Sequence, residues 1–187
     1  MLYFVGGASR SGKTWLARRM LESHQIAYFP IDVLMMGFIN GYPDFGLDPE
    51  TEGITRGEKL WPILRGMAVN LIEEKRYHPD YLLEGDELLP KNVAELITTY
   101  PRDVRACFLG YTHIVPSEKL QSVRKFEPDW AEFYKNDEIL LSFLAEQSEY
   151  SQYLRQECSI YGLNYFDGSE DFTRTVETAL QYLIGNL

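Results

Sequence analysis

Residues Gly7-Ala8-Ser9-Arg10-Ser11-Gly12-Lys13-Thr14 limit what this chain can fold into more than any other stretch. They match the spacing G-x-x-x-x-G-K-[ST] without a mismatch. The apolar run Leu2–Val5 precedes them, and residues 13–24 follow with Trp15, Leu16, Arg19 and Met20 at helical spacing. Strand, glycine-bounded loop and helix in that order make a cradle for phosphate. Gly7 and Gly12 let the backbone curl so that successive N–H groups point at phosphate oxygens, and the helix start adds its positive dipole end. Lys13 is placed to reach the β- and γ-phosphates, and the Thr14 hydroxyl to ligate Mg²⁺. Arg10, inside the loop, either touches a phosphate or points to solvent.

The rest of the chain alternates strand and helix patterns. Ala27–Ile31, Tyr81–Leu83, Val104–Leu109 and Leu163–Phe166 read as strands. Helices are predicted over 58–76, 90–99, 117–126 and 172–185, with Pro62 in the first turn of the 58–76 helix. Asp129 and Glu132 resemble a capping box opening a long helical region to about 157, with a break possible where Ser148 and Ser151 interrupt the apolar pattern. Residues 33–56, rich in Gly and Pro, lack clear periodicity and read as a functional loop or inserted lid, with room for a helical part. Continuous apolar strands separated by helices imply a parallel sheet covered on both faces. The expected fold is α/β in three layers: a five-stranded parallel sheet with helices on either side, in a single domain over 1–187.

Composition removes several classes of function. The chain has 187 residues with 28 acidic and 18 basic side chains, a formal charge of −10, which argues against a general nucleic-acid or anionic-membrane surface. No apolar run is long enough to span a bilayer, and MLYFVGG has none of the features of a secretory signal. Cys107 and Cys158 are too few for a disulfide framework and wrongly spaced for zinc. A cytoplasmic protein, monomer or homodimer, is expected.

The strand ends carry further chemistry. Ligands of open α/β sheets sit at the carboxyl ends of the strands. The second strand runs into Asp32, and the third into Glu84-Gly85-Asp86. An acidic residue closing an apolar strand suits Mg²⁺, held directly or through water. Glu84 is favoured over Asp86 for that role. Asp32 has a second reading as a turn or helix cap.

With these motifs the chain resembles the small P-loop kinases, which include nucleoside monophosphate kinases and shikimate kinase. Its YLLEGDELLP segment is also similar to the corresponding part of 2-phosphoglycerate kinase. The resemblance implies an acceptor-binding insert after the second strand, here 33–56, and a mobile lid after the fourth, here 111–128. It implies ATP and Mg²⁺ as cofactors and a small-molecule or nucleotide acceptor. Asp32 would orient the acceptor hydroxyl and serve as base, while Gly85 would let the backbone approach the acceptor. Arg56 and Arg65 stand where related kinases place acceptor-binding arginines, since a guanidinium suits carboxylate or phosphate. Arg124 is the chosen lid cation among Lys119, Arg124 and Lys125. Ser169, in Asp167-Gly168-Ser169, belongs to the loop that reads adenine.

Departures narrow the resemblance. No D-G-x-P-R segment, arginine-rich lid or four-cysteine lid is present, which counts against adenylate kinase activity. The Gly-Gly-Gly run of shikimate kinase is replaced by Glu84-Gly85-Asp86, and no N-K-x-D guanine motif occurs. An ATP-dependent phosphotransferase is therefore the leading reading. A nucleotide-hydrolysing switch and a non-catalytic ATP-binding regulator are the alternatives.

Overall fold

A computed structural model describes residues 1–48, 51–74, 80–126, 131–132, 134 and 136–185. Its centre is β1 (Leu2–Gly7), in which every residue is buried. That burial explains an apolar run without alternation: both faces of the strand are covered. The sheet order is β2-β3-β1-β4-β5, with β2 spanning Ala27–Pro30, β3 Tyr81–Gly85, β4 Val104–Gly110 and β5 Asn164–Asp167. Every pairing is parallel, and Val5 lies opposite both Glu84 and Cys107. This is the α/β architecture expected from the strand and helix patterns.

Side chains of β1 divide between two cores. Leu2 and Phe4 pack with Leu60, Leu64, Val93, Leu96 and Leu154 on one face of the sheet. Tyr3 and Val5 pack with Leu16, Met20, Val176 and Leu180 on the other. The first face is covered by α3 (Gly53–Glu73), α4 (Pro90–Thr99) and α6 (Asp137–Tyr161), and the second by α1 (Lys13–His24) and α7 (Phe172–Ile184). A third, smaller core of Val123, Ala131, Leu140 and Leu144 seats α5 (Pro116–Phe126) against α6.

Three expectations need correction. Residues 33–56 are not mainly irregular: α2 covers Ile31–Gly41, a 3₁₀ turn covers Pro43–Phe45, and α3 begins at Gly53. The period was hidden because Ile31–Gly41 carries one charge, and apolar residues fall on both its packed side (Leu34, Met35, Phe38) and its exposed side (Val33, Met36). Pro62 sits in the middle of α3, not in its first turn. Its exposed position lets water reach the carbonyl that loses its partner. Finally, α6 runs unbroken through Ser148 and Ser151, whose hydroxyls donate to the carbonyls of Thr112 (3.2 Å) and Gln147 (2.8 Å). The helix begins at Asp137, where the Asn136 side chain accepts from the Glu138 N–H at 2.8 Å. Asp129 of the expected capping box lies outside the described residues.

Candidate active site

The loop after β1 bends where its glycines allow. Gly7 has φ +149° and Gly12 +99°. A Cβ on Gly7 would meet the Leu109 backbone, and one on Gly12 would sit 2.7 Å from the Phe172 ring, so β4 and α7 close in on either side. Arg10 adopts φ +60°, a left-handed conformation that costs an L-residue roughly 1–2 kcal/mol. Contacts from outside hold the loop in this shape. The Ala8 N–H donates to the Leu109 carbonyl at 3.1 Å. The Ser9 N–H donates to Gln147 Oε1 at 2.9 Å, and the Ser9 carbonyl accepts from the Tyr111 hydroxyl at 2.8 Å.

Lys13 opens α1 and is buried. Its Nζ donates to the Ala8 carbonyl at 2.8 Å and pairs with Asp86. Burial alone would lower its pKa, but the carboxylates of Asp86, Glu84 and Asp32 outweigh that and raise it, so the ammonium stays charged. Thr14 Oγ1 donates to Glu84 Oε1 at 2.9 Å. Glu84 is buried near the end of β3, and that burial raises its pKa against the pull of Lys13 and Thr14. Thus Glu84 and Asp86 meet different loop residues: one faces the hydroxyl, the other the ammonium. Among the described residues no three His, Cys, Asp or Glu side chains converge into a metal cage. The Thr14 and Glu84 oxygens are the pair here able to hold a hard cation together with phosphate oxygens.

Asp32 lies in the first turn of α2, directly after β2. It keeps solvent access, so the surrounding protein desolvates it as a cleft wall does, not as a core does. That desolvation and Asp86 raise its pKa, opposed by Lys13, Arg56 and Arg10. The structure therefore brings Asp32, Lys13, Asp86 and Glu84 into one electrostatic cluster at the carboxyl ends of β1, β2 and β3.

The two arginines separate. Arg56, in the first turn of α3, lies 3.4 Å from Glu87 Oε1 and donates to the Thr51 carbonyl at 2.7 Å. Arg65, two turns further along α3, pairs instead with Glu95 of α4 at 3.0 Å, on the outer surface. Gly85 is buried under Ile31, and Glu87 Oε2 lies 3.1 Å from where its Cβ would be. Its missing side chain thus admits packing neighbours.

The lid cations also separate. Arg124 pairs with Asp137 at 2.6 Å and donates to the carbonyls of Ala131 and Tyr134, which ties α5 to the start of α6. Lys119 instead reaches the loop: its Nζ donates to the Arg10 carbonyl at 3.1 Å and lies 4.0 Å from the Tyr111 ring centroid. The expected lid ends at 128, and residues 127 and 128 lie outside the described residues.

Ser169 takes part in a tight turn after β5. Its N–H and hydroxyl both donate to Asp167 Oδ1, at 3.0 and 2.5 Å, while Thr112 donates to both Asp167 oxygens. Burial would raise the Asp167 pKa, but these hydrogen bonds outweigh it and lower it. The His113 N–H donates to Ser169 Oγ at 3.0 Å, so the loops after β4 and β5 are joined beside the phosphate loop.

Glu87, Tyr111 and Gln147 were not singled out by the sequence. Glu87 follows two other acidic residues and reads as a solvated run, while Tyr111 and Gln147 belong to no motif. For Lys119 a signal existed, since it stands nearer to β4 along the chain than Arg124 does.

No family model and no curated protein matches the chain. Solved structures do resemble it. A gluconokinase from Sinorhizobium meliloti aligns over 98% of this chain and 93% of its own, at TM-score 0.57 and 18% identity. A shikimate kinase from Bacteroides thetaiotaomicron aligns over 98% and 95%, at TM-score 0.53 and 16% identity. A shikimate kinase from Acinetobacter baumannii in complex with shikimate aligns over 99% and 93%, at TM-score 0.53 and 13% identity. The chain thus has the fold of the small P-loop kinases.

Proposed function

We propose that this chain is an ATP-dependent kinase that moves the γ-phosphoryl group to a hydroxyl of a small molecule. The observation that carries the reading is the meeting of Lys13 and Thr14 with Asp86 and Glu84, beside the solvent-facing carboxylate of Asp32. The likeness in fold to gluconokinase and shikimate kinases supports the same class.

Loop N–H groups and Lys13 hold the β- and γ-phosphates, which requires Lys13 to exchange Asp86 and the Ala8 carbonyl for phosphate oxygens. Thr14 and, through water, Glu84 would hold Mg²⁺, which would supply charge neutralisation for the phosphates. Asp32 orients the acceptor hydroxyl and takes its proton. Lys119, already against the loop, supplies the lid's positive charge in place of Arg124, whose partners hold α5 to α6. The Asp167-Ser169 turn lines the base side, with ATP favoured over GTP by the missing N-K-x-D motif. A cytoplasmic setting, where ATP is abundant, suits this chemistry.

Asp32→Asn tests the central assignment. Phosphoryl transfer is expected to fall roughly 10²- to 10⁴-fold with ATP affinity unchanged, because positioning and proton acceptance are lost while the phosphate loop is intact. Transfer at the wild-type rate would remove Asp32 from the mechanism.

A further inference from the structure

A turn at the tip of the phosphate loop carries a residue ill suited to it. The Ser11 N–H donates to the Ala8 carbonyl at 3.3 Å, which closes a four-residue turn with Ser9 and Arg10 at its centre. Arg10 has φ +60°, and Ser9 is not among the residues of positive φ. Negative then positive φ defines a type II turn, whose third residue is normally glycine. Turning the Ser9–Arg10 peptide over gives a type I turn, in which Arg10 takes a negative φ and the strain is gone. Something must therefore hold that peptide in place.

The hold comes from a closed circuit of hydrogen bonds. The Tyr111 hydroxyl donates at 2.8 Å to the Ser9 carbonyl, which belongs to the peptide that would turn. The Tyr111 N–H donates to Ser151 Oγ at 3.1 Å, and that hydroxyl donates to the Gln147 carbonyl at 2.8 Å. Gln147 Oε1 then accepts from the Ser9 N–H at 2.9 Å, which completes the ring. Both backbone groups of Ser9 are thus held by side chains, one from the segment after β4 and one from α6. Tyr111 is 2% exposed, and its burial raises the phenol pKa, so the hydroxyl keeps the proton it donates. Were the peptide to turn over, this buried hydroxyl would lose its acceptor. Lys119 donates to the next carbonyl, that of Arg10, at 3.1 Å and lies over the same phenol ring.

We infer that Tyr111 is a positioning residue for the nucleotide: its hydroxyl latches the Ser9–Arg10 peptide so that the loop presents an N–H, not a carbonyl, to the phosphates. Across a trans peptide the N–H and the carbonyl point in opposite directions. With the Ser9 carbonyl drawn to Tyr111, the Arg10 N–H faces the other way and joins the donors that surround an anion. The reversed peptide would set a carbonyl oxygen against phosphate oxygens. The inference rests on the phosphate loop of the kinase reading and is independent of which acceptor is used.

A double-mutant cycle tests the latch by calorimetric titration of the full chain with Mg-ADP. Tyr111→Phe keeps the ring and deletes the hydroxyl. It is expected to weaken Mg-ADP binding about tenfold when Arg10 is present. In the Arg10→Gly background the same change is expected to cost about twofold or less, since glycine holds a positive φ without help. The Arg10 side chain is missing from both members of that second pair, so its own effect on phosphate cancels. Gln147→Leu leaves the Tyr111 ring untouched and is expected to follow the same pattern, with a loss of about threefold when Arg10 is present. An equal loss in both backgrounds, or none in either, would overturn the latch while leaving the kinase reading intact. A wild-type chain that binds no Mg-ADP would overturn both.

Discussion

Glu87 illustrates how one buried side chain links stability to the site. Burial, with Asp86 and Asp32 nearby, raises its pKa from 4.5 to about 7 despite the opposing charge of Arg56. Between those values the folded chain binds more protons than the unfolded one. The stabilisation from this group is therefore complete below pH 4.5 and is lost as pH rises through 7. The shift corresponds to about 3 kcal/mol. Urea unfolding near pH 5 and pH 8 is expected to show wild-type protein losing stability relative to Glu87→Gln as pH rises. Parallel pH dependence in the two proteins would mean that Glu87 ionises as readily folded as unfolded. At this scale the sequence was only partly legible. The loop motif makes Lys13 and Thr14 legible because backbone geometry demands the two glycines and phosphate and metal chemistry an ammonium and a hydroxyl at fixed spacing from them. Nothing local distinguishes Glu87 from a solvated acid, because its role depends on α2 and α3 closing over it.

Among the elements, α5 was legible as a helix, but what its cations meet was not. Arg124 stands at the C-terminal end of α5, beside Asp137 and the carbonyls of Ala131 and Tyr134. Lys119 lies in the first half of the helix, closer to β4 and so to the phosphate loop. Charge type does not separate them, while order along the chain, with Lys119 nearer β4, agrees with the direction of α5. Lys119→Ala is expected to lower kcat roughly a hundredfold, since the proposed mechanism gives this loop-facing ammonium the charge that meets the transferring group. Arg124→Ala acts first on the fold of the lid, costing on the order of 1 kcal/mol in thermal or urea unfolding. If Arg124→Ala reduced kcat more than Lys119→Ala, the two roles would have to be exchanged. The insert after β2 failed for a different reason. Its helix is apolar on nearly every side, so the contrast between faces on which periodicity depends is absent.

Across the whole molecule, the parallel sheet was the most legible feature. Runs such as Leu2–Gly7 are buried on both faces, and only a strand between two helical layers tolerates that pattern. Placing β1 between β3 and β4 brings the phosphate loop beside Glu84 and Asp86, while β2 delivers Asp32 from the other side of β3. Three segments far apart in sequence thus converge because their strands end at one side of the sheet. The distribution of pairs between them was not legible, since it depends on how the start of α1 meets the end of β3 in space. The overall charge of −10 is echoed in the cleft, where acidic groups leave positive charge mainly around the loop.

The most direct measurement of the central claim is ADP formation from Mg-ATP by the purified chain, with and without the pooled metabolite extract. Labelled γ-phosphate is followed in the same samples, and Lys13→Ala is the control. ADP is expected to form only when extract is present, with matching label in an organic phosphate, and Lys13→Ala is expected to abolish both. Equal ADP and inorganic phosphate with or without extract would contradict a kinase and identify a nucleotide-hydrolysing protein instead.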